Sequence, residues 1–130
     1  MDKFEWPVRV YYEDTDAGGI VYHARYLHFL ERARTEWLRQ LGFEQTELKA
    51  QDILFVIRDM KIKWSKPAQL DDALRVVIPH ISVKKASIVM TQTIYNEQDV
   101  LVQAEVTIAC LYANTLKPRA LPSAIKHAAE

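Results

Sequence analysis

Apolar and polar positions change period several times along the chain. Val8, Val10 and Tyr12 alternate with Arg9 and Tyr11, which predicts a strand over 8–12. Residues 13–20, EDTDAGGI, break that pattern with turn formers and two glycines that can take backbone angles closed to other residues. From 23 to 41 the period becomes helical, with Leu27, Leu30, Trp37, Leu38 and Leu41 forming one apolar stripe. Gly42 follows where a helix commonly ends. Such a helix is about 28 Å long. Each large apolar side chain it buries contributes ~1.5–3 kcal/mol, which makes it the centre of the core. A short second helix is predicted over 44–50.

The rest is strand-like. Residues 55–64 alternate through Met60, Ile62 and Trp64, and 74–83 carry Val76, Ile78 and Ile81, with Pro79 marking an edge or a bulge. Residues 87–95 are apolar and β-branched. Over 100–112, Val102, Ala104, Val106, Ile108 and Cys110 share one face, and 96–99 connect these two strands as a hairpin. Pro118 and Pro122 bracket a tail that ends in a short helix. The expected layout is α+β: five antiparallel strands, the last four a meander, with one long helix on one face. A sheet so built leaves edges exposed, so oligomerisation is expected.

Composition narrows the function. The 130 residues suit one domain, 1–130. Lys plus Arg and Asp plus Glu are both 17, and zero formal charge argues against a general nucleic-acid binder. Cys110 is the only cysteine, so no intrachain disulfide forms; a reducing compartment fits, and the residue reads as packing. The start MDKFEWPVRV lacks a signal-like apolar stretch, and no run approaches the ~18 apolar residues of a span. A cytoplasmic protein is expected, with peripheral contact at the inner membrane left open. His23 and His28 are five apart and no HExxH occurs, so no metal site is expected. No serine stands in GxSxG and no glycine-rich phosphate loop is present.

The candidate chemistry lies in 11–34, YYEDTDAGGIVYHARYLHFLERAR. Asp14 and Asp16 sit in a loop feeding the start of the long helix, where backbone N–H groups lack intrahelical partners and the dipole is positive. Those groups can hold an oxygen gaining negative charge. A carboxylate beside them can attack a carbonyl or activate a water. The same Asp14-Thr15-Asp16 trio equally suits a turn held by its own side chains. Glu31 and Arg34 fall on or near the apolar stripe, where charges must be paired. Their spacing of three allows mutual contact and suggests a partly buried network beneath the site or at a subunit interface.

The segment resembles the signature of the 4-hydroxybenzoyl-CoA thioesterase-like branch of the hotdog superfamily, and more narrowly the bacterial acyl-CoA thioesterases encoded with the Tol–Pal envelope system. WPVRVYYEDTDAGGIVYHARY, LERARTEWLR and LKPRALP carry the likeness across nearly the whole chain. The resemblance implies a hotdog fold with the sheet wrapped around the helix, dimers pairing into homotetramers, and sites shared between two chains. It implies hydrolysis of acyl-CoA to free acid and CoA without a cofactor. Asp16 matches the catalytic carboxylate, as base or nucleophile. His23 matches the position whose N–H polarises the thioester carbonyl, with its imidazole a further site group and Tyr22–His23 as the oxyanion-binding helix start. Gly19 and Tyr22 line the turn, Tyr22 toward substrate or a neighbouring subunit, and Asp14 is assigned to turn structure. A basic surface for the CoA phosphates is implied, drawn from Arg58, Lys61, Lys63, Lys66, Lys84, Lys85 and Arg119. Two alternatives stay open: a hotdog hydratase or dehydratase, and a binding or adaptor protein for acyl carrier protein and lipid-synthesis enzymes.

Overall fold

A computed structural model describes residues 4–128. The elements in chain order are β1 (Phe4–Arg9), a single 3₁₀ turn (Tyr12–Asp14), α1 (Arg25–Gln40), α2 (Gln45–Ala50), β2 (Leu54–Trp64), β3 (Ala73–Val83), β4 (Ser87–Asn96), β5 (Asp99–Leu111) and α3 (Ser123–Ala128). The five strands form one antiparallel sheet in the order β1-β3-β4-β5-β2. The fold is α+β, with the helix-facing side of the sheet closed by α1, as the hotdog resemblance implies. No helix among the described residues is long and apolar enough to cross a membrane.

The strand order corrects the expected meander. Only β3, β4 and β5 follow one another; β2 leaves its chain neighbour and pairs with β5, from Leu54↔Leu111 to Trp64↔Val102. The cause is the connection 65–72. It is too long for a tight hairpin and is tied to the segment ahead of α1 by Val21 N–H to the Ala68 carbonyl at 2.9 Å and by an Ile20↔Gln69 bridge. β1 is also displaced from the expected 8–12. It pairs from Phe4↔Ile78 to Arg9↔Ala73 and ends opposite the first residue of β3, and Tyr11 then opens the 3₁₀ turn. Pro7 is tolerated because β1 is an edge strand. Pro79 lies in the register shift between Val77 and His80, the expected bulge.

The buried face of α1 is Tyr26, Phe29, Leu30, Ala33, Trp37 and Leu38. It is centred further toward the aromatics than the leucine stripe suggested, and Leu27 is 38% exposed. Facing it are Ile88, Met90 and Ile94 of β4 and Val102, Val106 and Cys110 of β5, all buried. Gly42 ends the helix at φ +94, an angle that disfavours any side chain. Its N–H reaches the Arg39 carbonyl at 3.0 Å and the Phe43 N–H the Leu38 carbonyl at 2.9 Å, a Schellman closure.

One polar side chain crosses this core. Gln92 of β4 is fully buried and donates Nε2 to the Leu30 carbonyl at 3.0 Å, while its Oε1 accepts Arg34 Nη1 at 3.0 Å. Arg34 thus reaches the sheet, not Glu31, which stays exposed and forms no ion pair among the described residues. Cys110 is buried, as its place in the strand pattern implied.

Candidate active site

The loop ahead of α1 is built on Asp14. Its carboxylate is buried: Oδ2 accepts the Tyr11 N–H at 2.9 Å, and Arg25 Nε lies 3.2 Å from Oδ1. That second contact is an ion pair whose angle falls short of a hydrogen bond. Arg25 also donates to the Glu13 carbonyl at 3.1 Å. The Asp14 carbonyl takes the Tyr22 N–H at 3.0 Å, closing the loop across its base. Asp14 is therefore the clamp that the turn reading assigned to it.

Asp16 sits at the tip of this loop, exposed to solvent. Its N–H donates to the Ile20 carbonyl at 2.9 Å and its carbonyl accepts the Gly19 N–H at 3.0 Å, while Oδ1 accepts the Gly18 N–H at 2.8 Å. Both glycines serve this geometry. A Cβ at Gly18 would press on Asp16 Oδ1 at 3.2 Å, and Gly19 holds φ +82. One carboxylate oxygen is thus fixed by backbone while the side chain stays accessible, as a base or nucleophile requires.

α1 begins at Arg25, two residues later than the periodicity suggested, with Ala24 as its cap. Alanine has no side chain that can accept a first-turn N–H. Arg25 N–H goes to the Tyr22 carbonyl at 2.8 Å and Leu27 N–H to Ala24 at 3.2 Å, whereas the His23 and Ala24 N–H groups meet no acceptor among the described residues. The Tyr22 N–H is committed to Asp14, so an oxyanion at this helix start would be received by His23 and Ala24 and not by Tyr22.

His23 lines a cleft of about 270 Å³ with Ile20, Val21, Tyr26, Trp64, Ser65, Lys66 and Pro67. Asp16, Gly19 and Tyr22 are outside its lining. Asp16 is tied to it through Ile20, and the Tyr22 ring lies against the His23 imidazole, tilted by 50° with centroids 4.5 Å apart. Two of the wall residues were not singled out from sequence. Trp64 donates Nε1 to the His23 carbonyl at 3.2 Å and meets the imidazole edge-on at 6.0 Å. Tyr26 accepts the Ala68 N–H on its hydroxyl at 3.0 Å. Tyr26 lay within the quoted motif; the contact that matters comes from the connection 65–72, which periodicity cannot place.

Burial raises the Tyr26 phenol above its ordinary 10.0, the Ala68 N–H opposes this, and the charges of Asp72 and Asp16 add to the rise. The Asp16 charge therefore bears on the wall of the cleft. Unfolded chain would ionise Tyr26 first, so this contribution to stability is intact below pH 10 and is lost as pH rises through the folded pKa. Tyr26→Phe is expected to cost about 1–3 kcal/mol at pH 7 by orphaning the buried Ala68 N–H. The variant should also lose less stability than wild type between pH 9 and about 11. Urea unfolding at both pH values checks both signs.

Similar proteins identify the family and the class of reaction. The model of the thioesterase-like superfamily matches residues 10–129. The acyl-CoA thioester hydrolase YbgC of Escherichia coli O6:H1 is 50% identical over 123 residues, covering 94% of this chain and 92% of that protein. The acyl-CoA thioesterase YbgC of Haemophilus influenzae is 49% identical over 126 residues, covering 96% and 93%. The crystal structure of a probable thioesterase from Bartonella henselae superposes with TM-score 0.86 at 42% identity, covering 93% of this chain and 100% of that one. The chain belongs to the thioesterase-like superfamily. It is an enzyme of the thioester-hydrolase class.

Proposed function

We propose that the chain hydrolyses acyl-CoA thioesters to a free acid and CoA, with Asp16 driving the attack and the His23 and Ala24 N–H groups receiving the oxyanion. The observation that carries this reading is the pairing of an accessible, backbone-held carboxylate with unanswered N–H donors beside the 270 Å³ cleft. The substrates named for the Escherichia coli and Haemophilus influenzae relatives support acyl-CoA as the thioester.

Two routes fit. As a base, Asp16 takes a proton from water, the hydroxyl oxygen bonds to the carbonyl carbon, and the C–S bond breaks, the proton passing on to the departing thiolate. As a nucleophile, Asp16 forms an acyl anhydride as the thiolate leaves, and water then cleaves it. In both, negative charge builds on the carbonyl oxygen, where fixed donors stabilise it most. Trp64 and Tyr22 both pack against the His23 ring, and Trp64 also bonds its carbonyl.

The same reading extends to two copies of the chain. β2 is an edge strand with Ile57 45% and Trp64 44% exposed, a surface suited to a partner. Lys84, Lys85, Lys117 and Arg119 lie at the far end of the sheet. There the Leu121 N–H meets the Lys85 carbonyl at 2.9 Å and the Arg119 N–H the Cys110 carbonyl at 2.9 Å. No Asp or Glu occurs over 73–96 or 106–128. At ~3.4 Å per residue this end is roughly 30 Å from Trp64. Antiparallel pairing of two β2 strands would bring one copy's basic end toward the other's cleft, where CoA carries its phosphates.

The test is thiol release from acyl-CoA and from the matching S-acyl pantetheine. Both substrates are expected to turn over, with KM at least several-fold lower for the CoA ester at low salt. Absence of thiol release from any acyl-CoA would overturn the proposal. A hydratase or dehydratase would modify the acyl group and leave the thioester intact.

A further inference from the structure

Each of the two N–H groups assigned to the oxyanion belongs to an amide with a carbonyl on its far side. The His23 N–H shares its amide with the Tyr22 carbonyl, and the Ala24 N–H shares its amide with the His23 carbonyl. Both carbonyls are occupied. The Arg25 N–H donates to that of Tyr22 at 2.8 Å, and Trp64 Nε1 donates to that of His23 at 3.2 Å. The first bond is local to the turn. The second comes from another element, 41 residues away.

The helix start explains why the His23 carbonyl is open to an outside donor. In a regular α-helix the Leu27 N–H would reach it. Here the Leu27 N–H goes to the Ala24 carbonyl at 3.2 Å, so Trp64 is the only donor on the His23 carbonyl among the described residues. The indole is carried on a fixed backbone. Trp64 is the last residue of β2, paired with Val102, and the next N–H, that of Ser65, is bonded to the Leu101 carbonyl at 2.7 Å. The sheet thereby holds the amide that opens the helix.

Donation to a carbonyl draws electron density from the amide nitrogen and makes the N–H of the same amide a stronger donor. It also fixes the plane in which that N–H points, and donors oriented in advance stabilise developing charge most. We propose that Trp64 is a positioning residue for thioester hydrolysis, orienting and polarising the His23–Ala24 amide so that the Ala24 N–H meets the oxyanion. The role rests on the reading that this helix start receives the oxyanion. Its indole N–H touches no substrate, because the His23 carbonyl already takes it.

Two variants separate donation from packing. Trp64→Phe keeps an aromatic wall and removes the donor. Trp64→His is smaller, but its Nε2 falls where the five-membered ring of indole carries Nε1. Thiol release from acyl-CoA is measured for both at pH 8, where imidazole is neutral. Trp64→Phe is expected to lower kcat about tenfold, less than the ~10²–10³-fold of losing an oxyanion donor outright. KM should stay within about twofold of wild type. Trp64→His should restore kcat to within about threefold of wild type. Packing alone predicts the reverse order, because phenylalanine fills the space better than histidine. The second readout needs no turnover. In the ligand-free protein the Ala24 amide nitrogen resonance should move upfield in Trp64→Phe and return toward its wild-type position in Trp64→His. Sedimentation and circular dichroism confirm that assembly and fold are kept. Wild-type kcat in Trp64→Phe, with Asp16→Asn severely impaired, would overturn the role of Trp64 and leave the oxyanion reading standing. So would an Ala24 resonance unmoved in Trp64→Phe, or Trp64→His less active than Trp64→Phe. No thiol release from wild type would overturn both.

Discussion

Asp16→Asn is expected to lower kcat/KM for acyl-CoA by about 10²–10⁴-fold with little change in stability. The substitution is chosen for its shape. An asparagine carbonyl can still accept the Gly18 N–H that Asp16 Oδ1 accepts at 2.8 Å, so the turn persists while the charge and basicity are lost. Asp16→Ala removes both and should match or exceed the kinetic loss, with a small additional drop in stability from the empty Gly18 N–H. Asp16 is exposed, so neither variant opens a cavity. The measurement is thiol release under saturating and limiting substrate, with thermal unfolding on the same samples. A loss confined to kcat would mean that Asp16 acts only in the transition state, whereas a rise in KM alone would reassign it to binding. Full activity in Asp16→Asn would remove it from the chemistry.

How far the sequence disclosed this arrangement depends on whether a feature is local. Strands β2 to β5 fall within a residue or so of their expected positions, because alternation is set by each strand's own burial. The place of β2 at the far edge was not legible, since pairing with β5 is decided by the path of 65–72 and not by any pattern inside β2. β1 shifted for the same reason: its ladder stops at Arg9↔Ala73, where β3 begins. On α1 the leucines drew attention from Tyr26 and Phe29, which are fully packed, and gave Leu27 a burial it does not have. The candidate site divides in the same way. Asp14, Asp16, Gly19 and His23 are near in sequence and could be read together from one motif. Trp64 reaches His23 across 41 residues, and Ala68 reaches Tyr26 across 42. Only the tertiary structure brings these to the cleft. Arg34 was correctly suspected on the stripe, but its partner, Gln92, lies 58 residues away.

Asp14→Ala is expected to have the largest effect on stability at the site, about 2–3 kcal/mol. Asp14 is only 3% exposed, and its removal leaves the Tyr11 N–H without an acceptor and Arg25 without its anion. Asp14→Asn should cost less, about 1 kcal/mol, because an amide oxygen can still accept the Tyr11 N–H while the ion pair is lost. Arg25 is partly exposed, which limits what that pair contributes. Urea unfolding of both variants, of Arg25→Gln and of the double variant Asp14→Asn with Arg25→Gln would isolate the pair as the departure from additivity. The kinetics then separate the two aspartates. If Asp14 only clamps the loop, Asp14→Asn assayed well below its melting temperature should keep kcat within about tenfold of wild type, while Asp16→Asn does not. A loss as large as that of Asp16→Asn, in a protein still folded, would make the two carboxylates a catalytic pair. It would also mean that the buried ion pair with Arg25 must open during turnover, since both oxygens of that carboxylate are engaged by the Tyr11 N–H and Arg25.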